Sequence, residues 1–166
     1  RQVGFQPRTK TEAGIDWGHT MTVMQIIQDL KERYTAPETH RWEYVELTER
    51  CEQISDICRQ RGISIIYADS APTDSNVTLG RILRKNRLST RVQAVAFSKY
   101  KDIGIQTMRY LLERNLIDIA DATTKIKLQQ YHYKDPEQET VAKEDDHDPD
   151  AFTAWAASKS WLLGGR

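Results

Sequence analysis

Residues 63–70 read Ile-Ser-Ile-Ile-Tyr-Ala-Asp-Ser, a short and almost wholly apolar run that ends at Asp69. Such a run is typical of a strand that is covered on both faces. The segment before it favours a helix, because apolar positions recur at helical spacing between Cys51 and Cys58. Thr48 can cap the start of that helix, and Gly62 can end it. The sequence therefore predicts a helix that leads into a strand covered on both faces.

Three further strands are predicted upstream of this buried strand. Their apolar and β-branched residues favour strands at Glu12–Trp17, Thr22–Ile27 and Trp42–Leu47. The polar stretch Lys31–Arg41 contains a proline and is interpreted as a hairpin loop. Residues 1–11 are polar and lack periodicity, so they are interpreted as a linker or tail that precedes one domain over residues 12–166.

Helices and strands alternate downstream. Three hairpin-linked strands followed by such alternation predict an α/β fold, in which a mixed central sheet of three antiparallel strands and then parallel strands carries helices on both faces. The predicted elements are strands Val92–Phe97 and Leu116–Ile119, helices that begin at Asp74 or Ser75, at Asp102 and at Thr123, a charged loop Lys134–Asp146, and a closing helix Pro149–Leu162 with Asp148 as its N-cap.

The composition narrows the class of protein. A length of 166 residues suits one domain with a single core, and 39% hydrophobic with 29% charged residues is typical of a globular chain. No apolar run approaches the roughly 20 residues that span a bilayer, and the polar start has no secretory signal, so no membrane partner is expected. Cys51 and Cys58 are interpreted as buried thiols without a metal or redox role.

The charges are unevenly distributed although the formal net charge is zero. No acidic residue occurs between Ser75 and Lys101, whereas acidic residues dominate from Asp135 to Asp150. This pattern fits a protein that holds phosphates on one surface and cations in a pocket, and it equally fits two ordinary solvated surfaces. The basic residues in question are Arg81, Arg84, Lys85, Arg87, Arg91, Lys99 and Lys101.

Three aspartates stand where a sheet of this kind gathers ligands. Asp16 ends the first strand, Asp69 ends the buried strand that begins at Ile63, and Asp150 lies in the first turn of the closing helix. Each has an ordinary explanation, as a turn residue, a cap or a partner of the helix dipole. Their joint occurrence favours a site where divalent cations offset the repulsion between converging carboxylates, and Mg²⁺ or Mn²⁺ prefers such oxygen ligands.

The segments around these aspartates resemble a known family. Gly-Ile-Asp-Trp-Gly at 14–18, Tyr-Ala-Asp-Ser-Ala at 67–71 and His-Asp-Pro-Asp-Ala-Phe at 147–152 resemble the three metal-binding motifs of the nuclease domain of tailed-phage terminase large subunits, in the family's order. Residues 101–105 and 108–112 resemble the family's Lys-x-x-x-Ile segment and the helix after it. The resemblance extends from about Glu12 to Leu162 and implies an RNase H-like fold.

The resemblance implies a metal-dependent endonuclease that cuts double-stranded DNA with little sequence specificity. Asp16, Asp69 and Asp150 would be the ligands of two Mg²⁺ or Mn²⁺ ions. His147 matches a histidine that some members place three residues before the last aspartate, and it would assist catalysis. The phosphates of DNA would be held by Arg81, Arg84, Lys85, Arg87, Lys99 and Lys101.

The family also implies partners and a location. They are an ATPase domain in the full-length protein, a portal protein and a small terminase subunit, in the host cytoplasm. This sequence contains no phosphate-binding loop of the Gly-x-x-x-x-Gly-Lys type and starts abruptly, so we expect a nuclease part of a longer protein.

Other classes remain open from the sequence. A Holliday-junction resolvase or a transposase-type nuclease would share the chemistry. An actin-like phosphotransferase could use residues 14–18 as a phosphate loop, although it would need a second glycine-rich loop that is not found. A DNA- or protein-binding module without catalytic activity is the last alternative.

Overall fold

A computed structural model of the protein describes residues 3–132 and 147–164. Its six-stranded sheet has the order β5-β4-β1-β2-β3-β6. Strands β1, β2 and β3 are antiparallel neighbours, whereas β4 is parallel to β1, β5 to β4 and β6 to β3. The predicted mixed sheet is thus confirmed. The strands are β1 Lys10–Trp17, β2 Met21–Asp29, β3 Tyr34–Glu43, β4 Ile63–Asp69, β5 Arg91–Val95 and β6 Ile117–Ile119.

Helices cover both faces of the sheet, as the sequence predicts. One core lies under α1 and α2 and contains Ile15, Ile54 and Leu79, and the other lies under α3, α4 and α5 and contains Met108 and Trp155. Burial of these side chains supplies the main stabilisation of the fold. The helices are α1 Leu47–Arg61, α2 Thr73–Lys85, α3 Phe97–Glu113, α4 Ala122–His132, α5 His147–Ala157 and the short α6 Trp161–Gly164.

Helix α1 begins and ends as local sequence rules require. The Glu46 carboxylate accepts hydrogen bonds from the backbone N–H groups of Thr48 and Glu49, so Glu46 rather than the predicted Thr48 is the N-cap. Gly62 ends the helix in the left-handed conformation with φ 63°, as predicted, and its N–H donates to the carbonyl of Cys58. The chain then enters β4 directly, which places this strand between the two helical layers.

The predicted hairpin loop Lys31–Arg41 is wrong, because most of it forms β3. The third strand accordingly lies earlier than the predicted Trp42–Leu47. Pro37 does not prevent this, since the pairing with β2 shifts by one residue near it, between Ile26 and Gln28. A proline is tolerated at such a bulge because no ladder hydrogen bond is needed from it.

Several predicted boundaries also differ from the structure. Helix α3 begins at Phe97 rather than Asp102, and α2 begins at Thr73 after Pro72 without a side-chain cap. The closing helix is two helices, because α5 ends at Ala157 and α6 begins at Trp161. The predicted loop Lys134–Asp146 lies outside the described residues.

The amino-terminal residues contact the domain more than the prediction of a linker implies. Strand β1 begins at Lys10, two residues before the predicted Glu12, and Gln6 exchanges two hydrogen bonds of 2.8 Å with the Gln28 side chain. The guanidinium of Arg61 lies 4.6 Å from the centre of the Phe5 ring. In the described part of the chain, no helix has the length and apolar character needed to cross a membrane.

Helix α5 approaches both β1 and α3 closely, because a glycine of each element faces it. A Cβ atom on Gly14 of β1 would lie 1.9 Å from the carbonyl oxygen of Ala151, and one on Gly104 of α3 would lie 2.6 Å from that of Thr153. Both neighbours are backbone atoms that cannot rotate away. The absence of two side chains therefore fixes the distance of α5 from β1 and α3.

We expect Gly14→Ala to destabilise the protein by about 1–3 kcal/mol or more, because the added methyl group must displace α5. Gly80→Ala is the matched control, since Gly80 lies in α2, where a Cβ atom meets only the Arg84 side chain, at 3.5 Å. That substitution should stabilise the protein by roughly 0.5–1 kcal/mol. Urea unfolding of both variants measures the two effects, and equal stabilities would contradict the close approach.

Candidate active site

Asp16 and Asp69 lie side by side at one edge of the sheet. Ile15 of β1 is in register with Ala68 of β4, and the two aspartates are the next residue on each strand. Side chains of registered parallel strands project on the same side, and alternate residues share a face. Asp16 therefore projects on the same face as Gly14, toward α5, with Asp69 beside it.

His147 at the start of α5 contacts Asp16 directly. Its Nδ1 atom lies 2.5 Å from Asp16 Oδ2. Gly18 makes this approach possible, since a Cβ atom there would lie 2.7 Å from Cε1 of the imidazole ring. Gly18 of the first motif and His147 of the third motif thus both serve the contact between His147 and Asp16, although 131 residues separate Asp16 from His147.

Burial raises the pKa of Asp16 above its ordinary value. The hydrogen bond and charge of His147 oppose this shift, as does the charge of Lys101, whereas the charge of Asp69 adds to it. Each of these groups is therefore within electrostatic reach of Asp16. A further cation close to Asp16 would therefore stabilise its ionised carboxylate.

Asp150 joins the site through Lys101. Its side chain is 17% exposed, and Oδ1 lies 3.5 Å from the Lys101 ammonium nitrogen. Lys101 lies in the second turn of α3, which follows the end of β5. An ammonium group is thus close to Asp150 and also influences Asp16, so positive charge already lies near these two carboxylates.

Asn76 holds the ends of β1 and β4 together, and the sequence analysis did not identify it. Its side-chain Nδ2 donates to the backbone carbonyl of Asp69 at 2.8 Å, and its Oδ1 accepts from the Trp17 indole N–H at 2.8 Å. The Asp69 carboxylate itself accepts weakly from the backbone N–H groups of Ala71 and Phe97. A lone asparagine in the first turn of a helix carries no sequence signal for this role.

The donor set suits a hard divalent cation, although it is not preassembled. Within residues 3–132 and 147–164, no three acidic, histidine or cysteine side chains lie close enough together to form a ready metal site. Burial raises the pKa of Asp16, and the negative charge of neighbouring Asp69 adds to that rise. Oxygen ligands under mutual repulsion are what Mg²⁺ or Mn²⁺ would stabilise, so the residues fit such an ion.

The residues predicted to bind DNA fall into two groups. Lys99 and Lys101 lie in the first turns of α3, at the edge of the sheet that carries Asp16 and Asp69. The others lie in or just after the second half of α2, which leads away from that edge, and Lys85 forms an ion pair with Glu52 of α1. The members of this second group are Arg81, Arg84, Lys85 and Arg87.

Asp148 is fully buried beside the site and does not act as the predicted N-cap. It lies within α5 as described, Oδ1 is 3.1 Å from Arg41 Nε, and Oδ2 is 3.1 Å from Lys127 Nζ. Arg41 also pairs with Asp121, whose carboxylate accepts from the backbone N–H of Thr124 in the first turn of α4. We call Arg41, Asp121, Lys127 and Asp148 the Asp148 charge cluster.

The sequence does not reveal this cluster, because the stretch Lys31–Arg41 predicts a loop rather than β3. Without that strand, no predicted element carries Arg41 toward α5. Asp121, three residues before Thr124, fits the pattern of a helix N-cap, and this signal could have identified one member. No signal links Lys127 to Asp148.

Comparison of the structure with solved proteins gives several similar folds. The large terminase nuclease of thermophilic phage G20c with bound cobalt is 14% identical, with a TM-score of 0.71 over 94% of this chain and 84% of that chain. The large terminase nuclease domain of Thermus phage P74-26 is also 14% identical, with a TM-score of 0.68 over 99% of this chain and 85% of that one. The G20c nuclease has been solved with magnesium and with zinc as well.

A longer protein has the same fold within it. The large terminase of a further thermophilic bacteriophage is 14% identical, with a TM-score of 0.67 over 94% of this chain and 42% of that chain. No protein-family model matches the sequence, and a comparison with curated proteins finds no match. The chain thus has the RNase H-like fold of phage large terminase nuclease domains.

The Asp148 charge cluster should make stability depend on acid pH. The Arg41 side chain, with Thr124, lowers the pKa of Asp121 from 3.8 to about 2. A lowered folded-state pKa stabilises the fold above pH 4, and this stabilisation is lost as the pH falls from about 4 to about 2.

Asp121→Asn should therefore reduce the free energy of unfolding by about 1 kcal/mol at pH 7, after allowance for solvent screening. The difference from the unsubstituted protein should shrink below pH 4. Urea titrations at pH 7, 5 and 2.5 measure it. A difference that stays constant over this range would contradict the Arg41–Asp121 interaction.

Proposed function

We propose that this chain is a metal-dependent endonuclease that cleaves double-stranded DNA, with little sequence specificity, during viral genome packaging. One observation carries the proposal. Asp16 and Asp69 end neighbouring strands side by side, and α5 brings His147 to the Asp16 carboxylate. The similarity of the fold to phage large terminase nucleases supports the same function.

The three aspartates are proposed to hold two Mg²⁺ or Mn²⁺ ions. When bound, such ions supply a water of lowered pKa for attack on the phosphodiester and offset charge on the leaving oxygen. Asp16 would be the most rigidly held ligand, because its strand lies between β2 and β4. The G20c structures with cobalt, magnesium and zinc support a divalent ion without selecting one.

The chain's own residues prepare the carboxylates for this role. A metal ligand must be ionised, yet burial favours the protonated form of Asp16. His147 and Lys101 oppose that effect and help to keep the carboxylate charged. His147 also fixes the orientation of Asp16 through its Nδ1 contact, and it is well placed to accept or deliver a proton near the scissile bond.

DNA would approach the sheet edge that carries the aspartates. Lys99 and Lys101 are placed to meet phosphates there, whereas Arg81, Arg84, Lys85 and Arg87 would contact DNA farther from the site. Contacts to phosphates position a duplex without reading its sequence, and they weaken as salt increases. Weak sequence preference follows from this arrangement.

The proposed context is a large terminase in the host cytoplasm. An ATPase domain would accompany the nuclease, which the similarity to the longer phage large terminase supports. One structure of that longer protein is a complex with ADP. A portal protein and a small terminase subunit would be the further partners.

Plasmid cleavage by the purified chain tests the proposed reaction. We expect nicking and linearisation with Mn²⁺ or Mg²⁺, none with EDTA, and a loss of about a hundredfold or more in Asp69→Asn, because a neutral amide is a poor ligand for a hard cation. Asp56→Asn is the matched control, since Asp56 is an exposed residue of α1 on the opposite face of the sheet.

Two results would contradict the proposal. One is cleavage that persists in EDTA, and the other is equal activity of the Asp69→Asn and Asp56→Asn variants. A parallel assay on a four-way DNA junction separates a resolvase from a terminase-type nuclease, because a resolvase would cut the junction in preference to the plasmid.

A further inference from the structure

We infer that the Asp148 charge cluster positions the first turn of α5, and that Asp148 and Lys127 are positioning residues for the metal site. The inference rests on the proposed function, because it concerns the affinity of that site for its cation. It assigns a role to a carboxylate that lies between His147 and Asp150 in sequence but pairs with Arg41 and Lys127, on the side away from the proposed ions.

The first turn of α5 carries two groups of the site and needs support of its own. Helix ends fray, because their backbone groups lack intrahelical partners. The glycine contacts of α5 with β1 and with α3 are at Ala151 and Thr153, one or more turns farther along the helix from His147. Besides the contacts of His147 with Asp16 and of Asp150 with Lys101, the ion pairs of Asp148 hold the start of α5 to β3 and α4.

Two cations from different elements meet this one carboxylate. Arg41 comes from β3 and Lys127 from α4, and each lies 3.1 Å from a different oxygen of Asp148. Arg41 donates a hydrogen bond to Oδ1 and Lys127 forms an ion pair with Oδ2, and together these two contacts favour one orientation of the carboxylate. Arg41 is itself held by Asp121, with Nη2 to Oδ2 at 2.6 Å.

The cluster is attached to the rest of the sheet by a buried polar chain. Thr124, whose hydroxyl donates to Asp121 at 2.7 Å, accepts a hydrogen bond from the side chain of Gln25 on β2 at 3.1 Å. The Gln25 side chain in turn accepts from the hydroxyl of Thr39 on β3 at 2.5 Å. Hydrogen bonds therefore link the cluster that holds Asp148 to β2 and β3, in the same sheet that carries Asp16.

Stability alone gives little reason for this arrangement. Asp148 is 0% exposed, and burying a carboxylate with two cations incurs desolvation that apolar side chains would avoid. A buried ion cluster with fixed directions also defines the orientation of the helix end. An apolar contact does not do this. Residues behind metal ligands typically change metal affinity or activity about 10–100-fold when they are replaced.

Lys127→Met tests the inference on the 166-residue chain, with Mn²⁺ alone as the probe. We expect Mn²⁺ binding by calorimetry to weaken about 10–100-fold. In the absence of metal, the imidazole ¹⁵N signals of His147, assigned with His147→Gln, should move because the contact with Asp16 loosens. Lys125→Met is the matched control, because Lys125 is an exposed residue of the same helix, and it should change neither measurement.

The double variant Asp148→Asn/Lys127→Met separates positioning from plain stabilisation. It removes both charges of one ion pair, so its melting temperature should recover relative to Asp148→Asn alone, which leaves two cations facing an amide. Mn²⁺ affinity should stay weak, because the helix start is still unheld. Recovery of affinity together with melting temperature would overturn the inference, as would wild-type His147 signals and affinity in Lys127→Met.

The two levels of the proposal fail differently. If the unsubstituted chain binds no Mn²⁺, the proposed function is wrong, and the role of the cluster in setting affinity is wrong with it. If the chain binds Mn²⁺ and cuts DNA but Lys127→Met matches Lys125→Met, only the inference about the cluster is wrong.

Discussion

The contact between α5 and β1 at Gly14 determines the geometry on which the site depends. A side chain at that position would push the Ala151 backbone away from the strand. Because none is present, α5 lies directly on the face where Asp16 projects, and its first turn reaches the end of the strand. His147 then meets Asp16 where Gly18 leaves room for the imidazole ring.

Charge balance is the second requirement of the site. Two carboxylates at adjacent strand ends repel each other, and burial makes ionisation of Asp16 less favourable. Lys101 and His147 offset part of this, and a divalent cation would offset the rest. Buried Asp148 has its own pair of cations, so its negative charge is balanced within the cluster beside the site.

Local patterns predicted much of the fold. The apolar run before Asp69 and the helix that ends at Gly62 were recognisable, because strand and helix periodicity and a left-handed cap depend on nearby residues. Strand β3 was not, since Pro37 is acceptable there only because β3 carries one extra residue against β2 at that point. This shift belongs to the pairing of the two strands, and the local sequence pattern does not show it.

The candidate site divides in the same way. Asp16, Asp69 and Asp150 could be proposed because each stands at the end of a predictable element, and the contact of His147 with Asp16 agrees with the resemblance of the third motif. Asn76, Arg41 and Lys127 could not, because their contacts join segments far apart in sequence. The periodicity of apolar residues does not predict which cation will face a buried carboxylate.

Anomalous diffraction from crystals grown with Mn²⁺ is the most direct test of the central proposal that these carboxylates share divalent cations. We predict manganese peaks within ligand distance of Asp16, Asp69 and Asp150, with the Lys101 ammonium displaced from its 3.5 Å contact with Asp150. A well-ordered crystal at saturating Mn²⁺ with no peak among the three aspartates, and with Lys101 still in contact with Asp150, would contradict it.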